Sequence, residues 1–194
     1  ISIEEDNTRA ESGEEEEGPG AIDFYADIAE EELSVFEGTI EGFRRVSGTE
    51  LADVRRQLAT EKFLHSLKTT TAPRSNINAY HGKGREDFVR KLYRPRPWYE
   101  VELIFSTDEM VSPNCPPSGD FKVITDDGWS FDCRRQGDPP ELGGKNVRST
   151  GTLLILGKWL KGRLEKSGAL RTGELVTEET LLEYGRSTIS FTKI

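Results

Sequence analysis

The chain has 194 residues, of which 34% are hydrophobic and 31% charged, with a net charge of −9. That leaves room for one globular domain of roughly 100 to 120 residues plus an accessory segment. No apolar run nears the roughly 18 residues a membrane span requires, and two cysteines, Cys115 and Cys133, without a Cys/His cluster, exclude a disulfide framework and a zinc centre. The expectation is a cytoplasmic chain with reduced thiols and no cofactor. It begins at Ile1 rather than at a methionine, as a piece of a longer protein would.

Charge is unevenly spread. Residues 1–73 carry 7 Lys/Arg and 18 Asp/Glu, residues 74–171 carry 17 and 13, and residues 173–194 carry 2 and 4. A cationic middle beside a strongly acidic start suggests a nucleic-acid reader on a negatively charged linker.

In chain order, residues 1–21 are rich in Glu and Gly, with the run Glu14-Glu15-Glu16-Glu17 before Gly18-Pro19-Gly20. Like-charge repulsion and glycine entropy predict a solvated linker, and its carboxylates could mimic phosphates over a basic cleft. Residues 22–72 are expected as a helical accessory segment. Leu33, Phe36, Ile40 and Phe43 have helical spacing in residues 29–46, and Leu51, Val54, Leu58 and Leu64 have it in residues 49–67, with Thr49 as N-cap.

After Pro73 the period changes from helical to alternating. Tyr99, Val101, Leu103 and Phe105 share one strand face, with Glu100 and Glu102 on the other. Residues 121–134 read as a hairpin whose Asp127-Gly128 supplies a tight primed turn. Residues 152–167 form an amphipathic helix on Leu153, Leu156, Leu160 and Leu164, stopped by Gly168. Residues 177–184 form a short helix ending at Gly185, and residues 188–193 a last strand. Strands with two helices suit a small barrel capped by those helices.

Three basic groups stand out: His81, Lys83, Arg85, Arg94 and Arg96 in residues 76–97; Arg134, Arg135, Lys145, Asn146, Arg148 and Ser149 in residues 134–149; and Lys158 and Lys161 on the long helix. Arginine can read guanine and asparagine adenine through two hydrogen bonds each. Helix lysines suit phosphates. Trp98, Trp129 and Trp159 lie on or beside apolar faces and are expected in the core rather than as base-stacking platforms.

The segments Arg96-Pro97-Trp98-Tyr99-Glu100-Val101, Val123 to Phe131, Lys145-Asn146-Val147-Arg148-Ser149, Leu156 to Leu164, Val176 to Leu181 and Tyr184-Gly185-Arg186 together resemble the B3-like DNA-recognition domain. This domain belongs to restriction endonucleases of the NgoFVII and BfiI type, whose catalytic half resembles phospholipase D, and is similar to the plant B3 domain. The resemblance covers roughly Arg74 to Ile194, and the B3-like domain is expected over residues 73–194. It implies an α+β, mainly β fold: a seven-stranded pseudobarrel that grips the major groove of double-stranded DNA between two arms. By position, residues 76–96 would be the N-terminal arm and residues 134–149 the C-terminal arm. Lys83, Arg85, Lys158 and Lys161 are expected to capture the duplex electrostatically. Base-edge readout is expected from His81, Arg85, Arg94, Arg96, Lys145, Asn146 and Arg148.

The resemblance also implies a nuclease half upstream of this segment and possible coupling to a helicase-like ATPase subunit. Catalysis is not expected within the segment, because the phospholipase D signature needs an aspartate five positions after its lysine. After His81-Gly82-Lys83 that position holds Phe88, and Asp87 comes one residue early. The alternative from another class is a protein-interaction module docking a partner through residues 22–67, with Phe36 and Phe43 as its anchors.

Overall fold

The computed structural model describes residues 23–27, 42–58, 60–68, 76–87, 89 and 91–194. The linker 1–21 and most of the first expected helix, with Leu33, Phe36 and Ile40, lie outside them. In chain order the strands are β1 Asp23–Asp27, β2 Arg44–Arg45, β3 Lys62–Ser66, β4 Arg85–Asp87, β5 Leu92–Arg94, β6 Leu103–Ile104, β7 Gly119–Thr125, β8 Trp129–Gln136, β9 Asn146–Ser149 and β10 Thr188–Lys193. The helices are α1 Gly48–Gln57, α2 Thr107–Met110, α3 Ile155–Lys166 and α4 Glu178–Tyr184.

Eight strands form one mixed sheet in the order β3-β10-β1-β7-β8-β9-β6, with β2 added to β8, while β4 and β5 pair separately. Among the described residues this path has seven strands and does not return on itself. Its centre is the expected hairpin. Phe121 pairs with Cys133 and Val123 with Phe131, and all four side chains are buried, because alternate residues of a strand face the same side. The primed turn is corrected. Only Gly128 has positive φ, at 83°, so Asp126-Asp127-Gly128 is a three-residue loop closed by a left-handed glycine. Gly128 N–H donates to Thr125 O at 3.0 Å.

The accessory segment is not helical throughout. Ser47, not Thr49, caps α1 by accepting from Glu50 N–H at 3.1 Å. The helix stops at Gln57, and residues 62–66 form β3 on β10. Phe63, His65 and Leu67 point inward while Leu64 is 58% exposed. A period of two therefore governs residues that the helical spacing had claimed. Phe43 is also buried, edge-on to Trp129 and Phe131 at 5.4 Å from each. Burying such a ring is worth about 1.5–3 kcal/mol, so Phe43 is core rather than a docking anchor.

In the expected strand at 98–105, only Leu103 and Ile104 are laddered. Trp98 and Tyr99 form a turn closed by Glu100 N–H to Pro97 O at 3.1 Å, and Glu100 is buried. α3 starts at Ile155, later than expected, and buries Leu156, Trp159, Leu160 and Leu164 against the sheet. α4 carries a capping box between Thr177 and Thr180 and ends at Gly185, φ 88°. No helix among the described residues is long and apolar enough to cross a membrane.

Candidate nucleic-acid interface

On the solvent face of β7, β8 and β9 the register puts Asp120 opposite Arg134, and Arg134 opposite Arg148. Arg134 donates to both oxygens of Asp120, Nε to Oδ1 at 2.5 Å and Nη2 to Oδ2 at 2.6 Å. The adjacent guanidinium holds the Asp120 carboxyl below its ordinary range. Arg148, next in the row, is half-buried and has no ion-pair partner among the described residues. Lys145 is exposed, and its carbonyl accepts from Phe105 N–H at 2.7 Å. Asn146 faces Gln136 across the ladder, and its Oδ1 is buried without a hydrogen-bond donor.

The expected N-terminal arm opens with a 3-10 turn at Asn76–His81. It is fixed by Asn78, whose Nδ2 donates to Val176 O at 2.7 Å and whose Oδ1 accepts from Val176 N–H at 2.9 Å. His81 lies beside Tyr80 and within 3.2 Å of Glu174 O. β4 and β5 then form a small hairpin with Arg85 opposite Arg94. Val89, at its turn, is 93% exposed, and Lys83 and Arg94 are also exposed. Arg96 ties the base of the arm together. Its Nε donates to Lys83 O at 3.0 Å and its Nη1 to Glu100 at 2.5 Å.

Two shallow depressions connect these groups. One is lined by Arg96, Glu100, Val101, Glu102, Arg148 and Leu153. The other joins Asp120, Arg134, Arg148 and Ser149. Arg148 lines both, so the foot of one expected arm and the strand of the other meet around it.

Three expected contacts point elsewhere. Lys161 is fully buried, donating from Nζ to Trp98 O at 2.7 Å and lying 3.8 Å from the Trp98 ring centroid. Burial pushes its pKa down to about 8, against a smaller opposing pull from Glu165. Arg135 is 4% exposed and donates to three carbonyls, Gly144 at 2.7 Å, Pro116 at 2.6 Å and Leu142. It braces the 137–145 loop from inside. Ser149 is buried, and its hydroxyl joins Thr152 O to Leu156 N–H at the start of α3. Lys158 remains half-exposed on α3.

The bracing residues were not singled out in the sequence. Glu165 accepts from Trp98 Nε1 at 2.8 Å, Tyr99 Oη at 3.0 Å and Thr172 Oγ1 at 2.9 Å. Burial, with the hydrogen bond to Glu165, raises Tyr99 to about 12. Only the Arg96–Glu100 pair, four residues apart, left a local signal. The Asn78–Val176, Trp98–Glu165 and Lys161–Trp98 partners are 63 to 98 residues apart.

A family model of the NgoFVII C-terminal B3-like DNA-binding domain matches residues 53–194. The chain belongs to this family. The B3-like domain thus accounts for the mixed, mainly β fold and makes double-stranded DNA the partner of the domain. The matched region begins at Asp53, inside α1, and includes β3. No curated protein matches the chain.

Proposed function

We propose that this B3-like domain reads a short double-stranded DNA sequence through the major groove and delivers a restriction endonuclease to it. In this reading the seven-strand path is the pseudobarrel, residues 76–96 are the N-terminal arm and residues 134–149 the C-terminal arm. The nuclease half lies upstream in the parent protein, and coupling to a helicase-like ATPase subunit is part of the same proposal. The observation that carries it is Arg148, without an ion-pair partner among the described residues and set between the feet of the two arms. A cation that forms no ion pair among the described residues is available to base edges, whereas Arg134 beside it is already neutralised by Asp120.

Lys83, Lys145 and Lys158 are assigned to phosphates, which position the duplex. His81, Arg85, Arg94, Asn146 and Arg148 are assigned to the groove, where sequence is read, whereas Arg96, expected there too, is held by Glu100 and Lys83 O at the base of the arm. Lys161, Arg135 and Ser149 support the frame.

An equilibrium selection from a random duplex pool at two salt concentrations tests the reading. One enriched short motif is expected, with a log-log salt slope of about −3 or steeper, since the three phosphate lysines contribute about −0.9 each. Salt-sensitive binding without enrichment would reduce the domain to a non-specific grip.

A further inference from the structure

The depression between the arms contains two carboxylates and two guanidiniums, and they are not equivalent. Glu100 is buried and takes Arg96 at 2.5 Å. Glu102 and Arg148 are both half-buried, and neither has an ion-pair partner among the described residues. The β6–β9 register, with Leu103 opposite Val147, sets Glu102 beside Arg148. Opposite charges thus line one depression without joining.

A carboxylate on a surface that meets DNA is repelled by the phosphates, so it needs a specific hydrogen-bond donor to be tolerated there. The major groove offers such donors only at cytosine N4 and adenine N6. An arginine beside it needs acceptors, and two together are best met by guanine O6 and N7. A G·C pair presents acceptor, acceptor and donor in succession. An A·T pair presents its donor between two acceptors, which would push the carboxylate away on either side.

We propose that Glu102 is a specificity-determining residue that acts with Arg148 on a single G·C base pair. Arg148 donates to guanine O6 and N7, and Glu102 accepts from the cytosine N4 amino group. The inference rests on the reading of the domain as a sequence-specific reader and deepens it, adding a residue and a base pair that the arms alone do not specify. It also makes N4-methylation of that cytosine an obstacle to binding, because the methyl group occupies the space in which the carboxylate docks.

The test uses the full chain and the duplex enriched by selection, with analogues placed one pair at a time. At one G·C pair, both 7-deazaguanine, which lacks the N7 acceptor, and N4-methylcytosine should weaken wild-type binding, each by roughly 5- to 150-fold. Glu102→Ala should lose sensitivity to N4-methylcytosine at that pair only. Arg148→Ala should lose sensitivity to 7-deazaguanine at the same pair. If a motif is enriched but no pair responds to both analogues, the inference is wrong and the reading stands. The same follows if Glu102→Ala shifts affinity for cognate and random duplex equally. If no motif is enriched at all, both fall.

Discussion

Arg163 of α3 grips Asp126 in the β7–β8 loop with both terminal nitrogens, at 2.5 and 2.9 Å, and both residues are buried. Asp127 stands 3.6 Å from the same guanidinium and accepts from Trp159 Nε1 at 3.1 Å. Burial alone would lower the arginine pKa, but the Asp126 carboxylate overcomes it and raises it. The two aspartates of a surface-looking turn thus pin the helix that fills the core. Arg163→Ala takes the guanidinium from both buried carboxylates, so it should destabilise the domain by about 3–5 kcal/mol, and Asp126→Ala, which leaves Asp127 beside the guanidinium, should cost less. A shift in the urea midpoint at constant slope is the measurement, and a change below about 1 kcal/mol would show the pair to be dispensable.

Lys161 gives the stability curve a distinctive pH dependence. Its folded pKa, about 8, lies below the ordinary 10.5, so between these values the unfolded chain holds the extra proton and stability rises with pH. The thiols act in the opposite sense. Burial pushes Cys115 up to about 11 from 9.0 and raises Cys133 as well, so their contribution falls above pH 9. Wild-type stability should therefore rise from pH 8 to 9 and then turn down. Lys161→Met should lack the rise. Denaturation midpoints at half-unit pH steps, compared between the two proteins, decide it.

Arg135 and Arg148 differ by one ladder position in their β8–β9 partners but should respond differently to substitution. Arg135→Lys cannot serve the three carbonyls with one ammonium, and each buried acceptor left unmet costs about 1–3 kcal/mol. Faster amide exchange in residues 137–145 and a lower melting temperature are expected. Arg148→Ala should leave the stability within about 0.5 kcal/mol of wild type and lower DNA affinity. Equal melting losses for both would place Arg148 in the frame instead.

Gly157 reverses the usual rule for helices. A glycine-to-alanine change inside a helix ordinarily stabilises by about 1 kcal/mol. Here an added Cβ would run into Tyr99 O and approach the Val101 side chain at 2.9 Å. Gly157→Ala should instead destabilise by about 1–3 kcal/mol through overpacking. The sign of the change in thermal midpoint is sufficient to test this.

Local patterns were legible without coordinates. The β7–β8 hairpin, most of α3, α4 with its Gly185 stop, β10, and the cationic middle all follow from residue spacing and charge within about a dozen neighbours. Trp129 and Trp159 in the core were likewise readable from the apolar positions around them. β3 was not, because Val54, Leu58 and Leu64 satisfy a helical period as well as Phe63, His65 and Leu67 satisfy a strand period. Pairing with β10, more than a hundred residues away, settles which pattern prevails.

What the sequence by itself determined is where the cations are and which segments alternate. Only the tertiary structure decided which cations face solvent. Lys161, Arg135 and Arg163 have the same chemistry as Lys145 and Arg148, but their partners are a carbonyl at Trp98, carbonyls from two loops, and a carboxylate at Asp126. Burying a charge is favourable only when such partners meet it at hydrogen-bond distance. Lys161 and Arg163 meet partners 63 and 37 residues away, and Arg135 meets carbonyls that only the folding of its loop turns inward, so no local pattern of residues could have announced them.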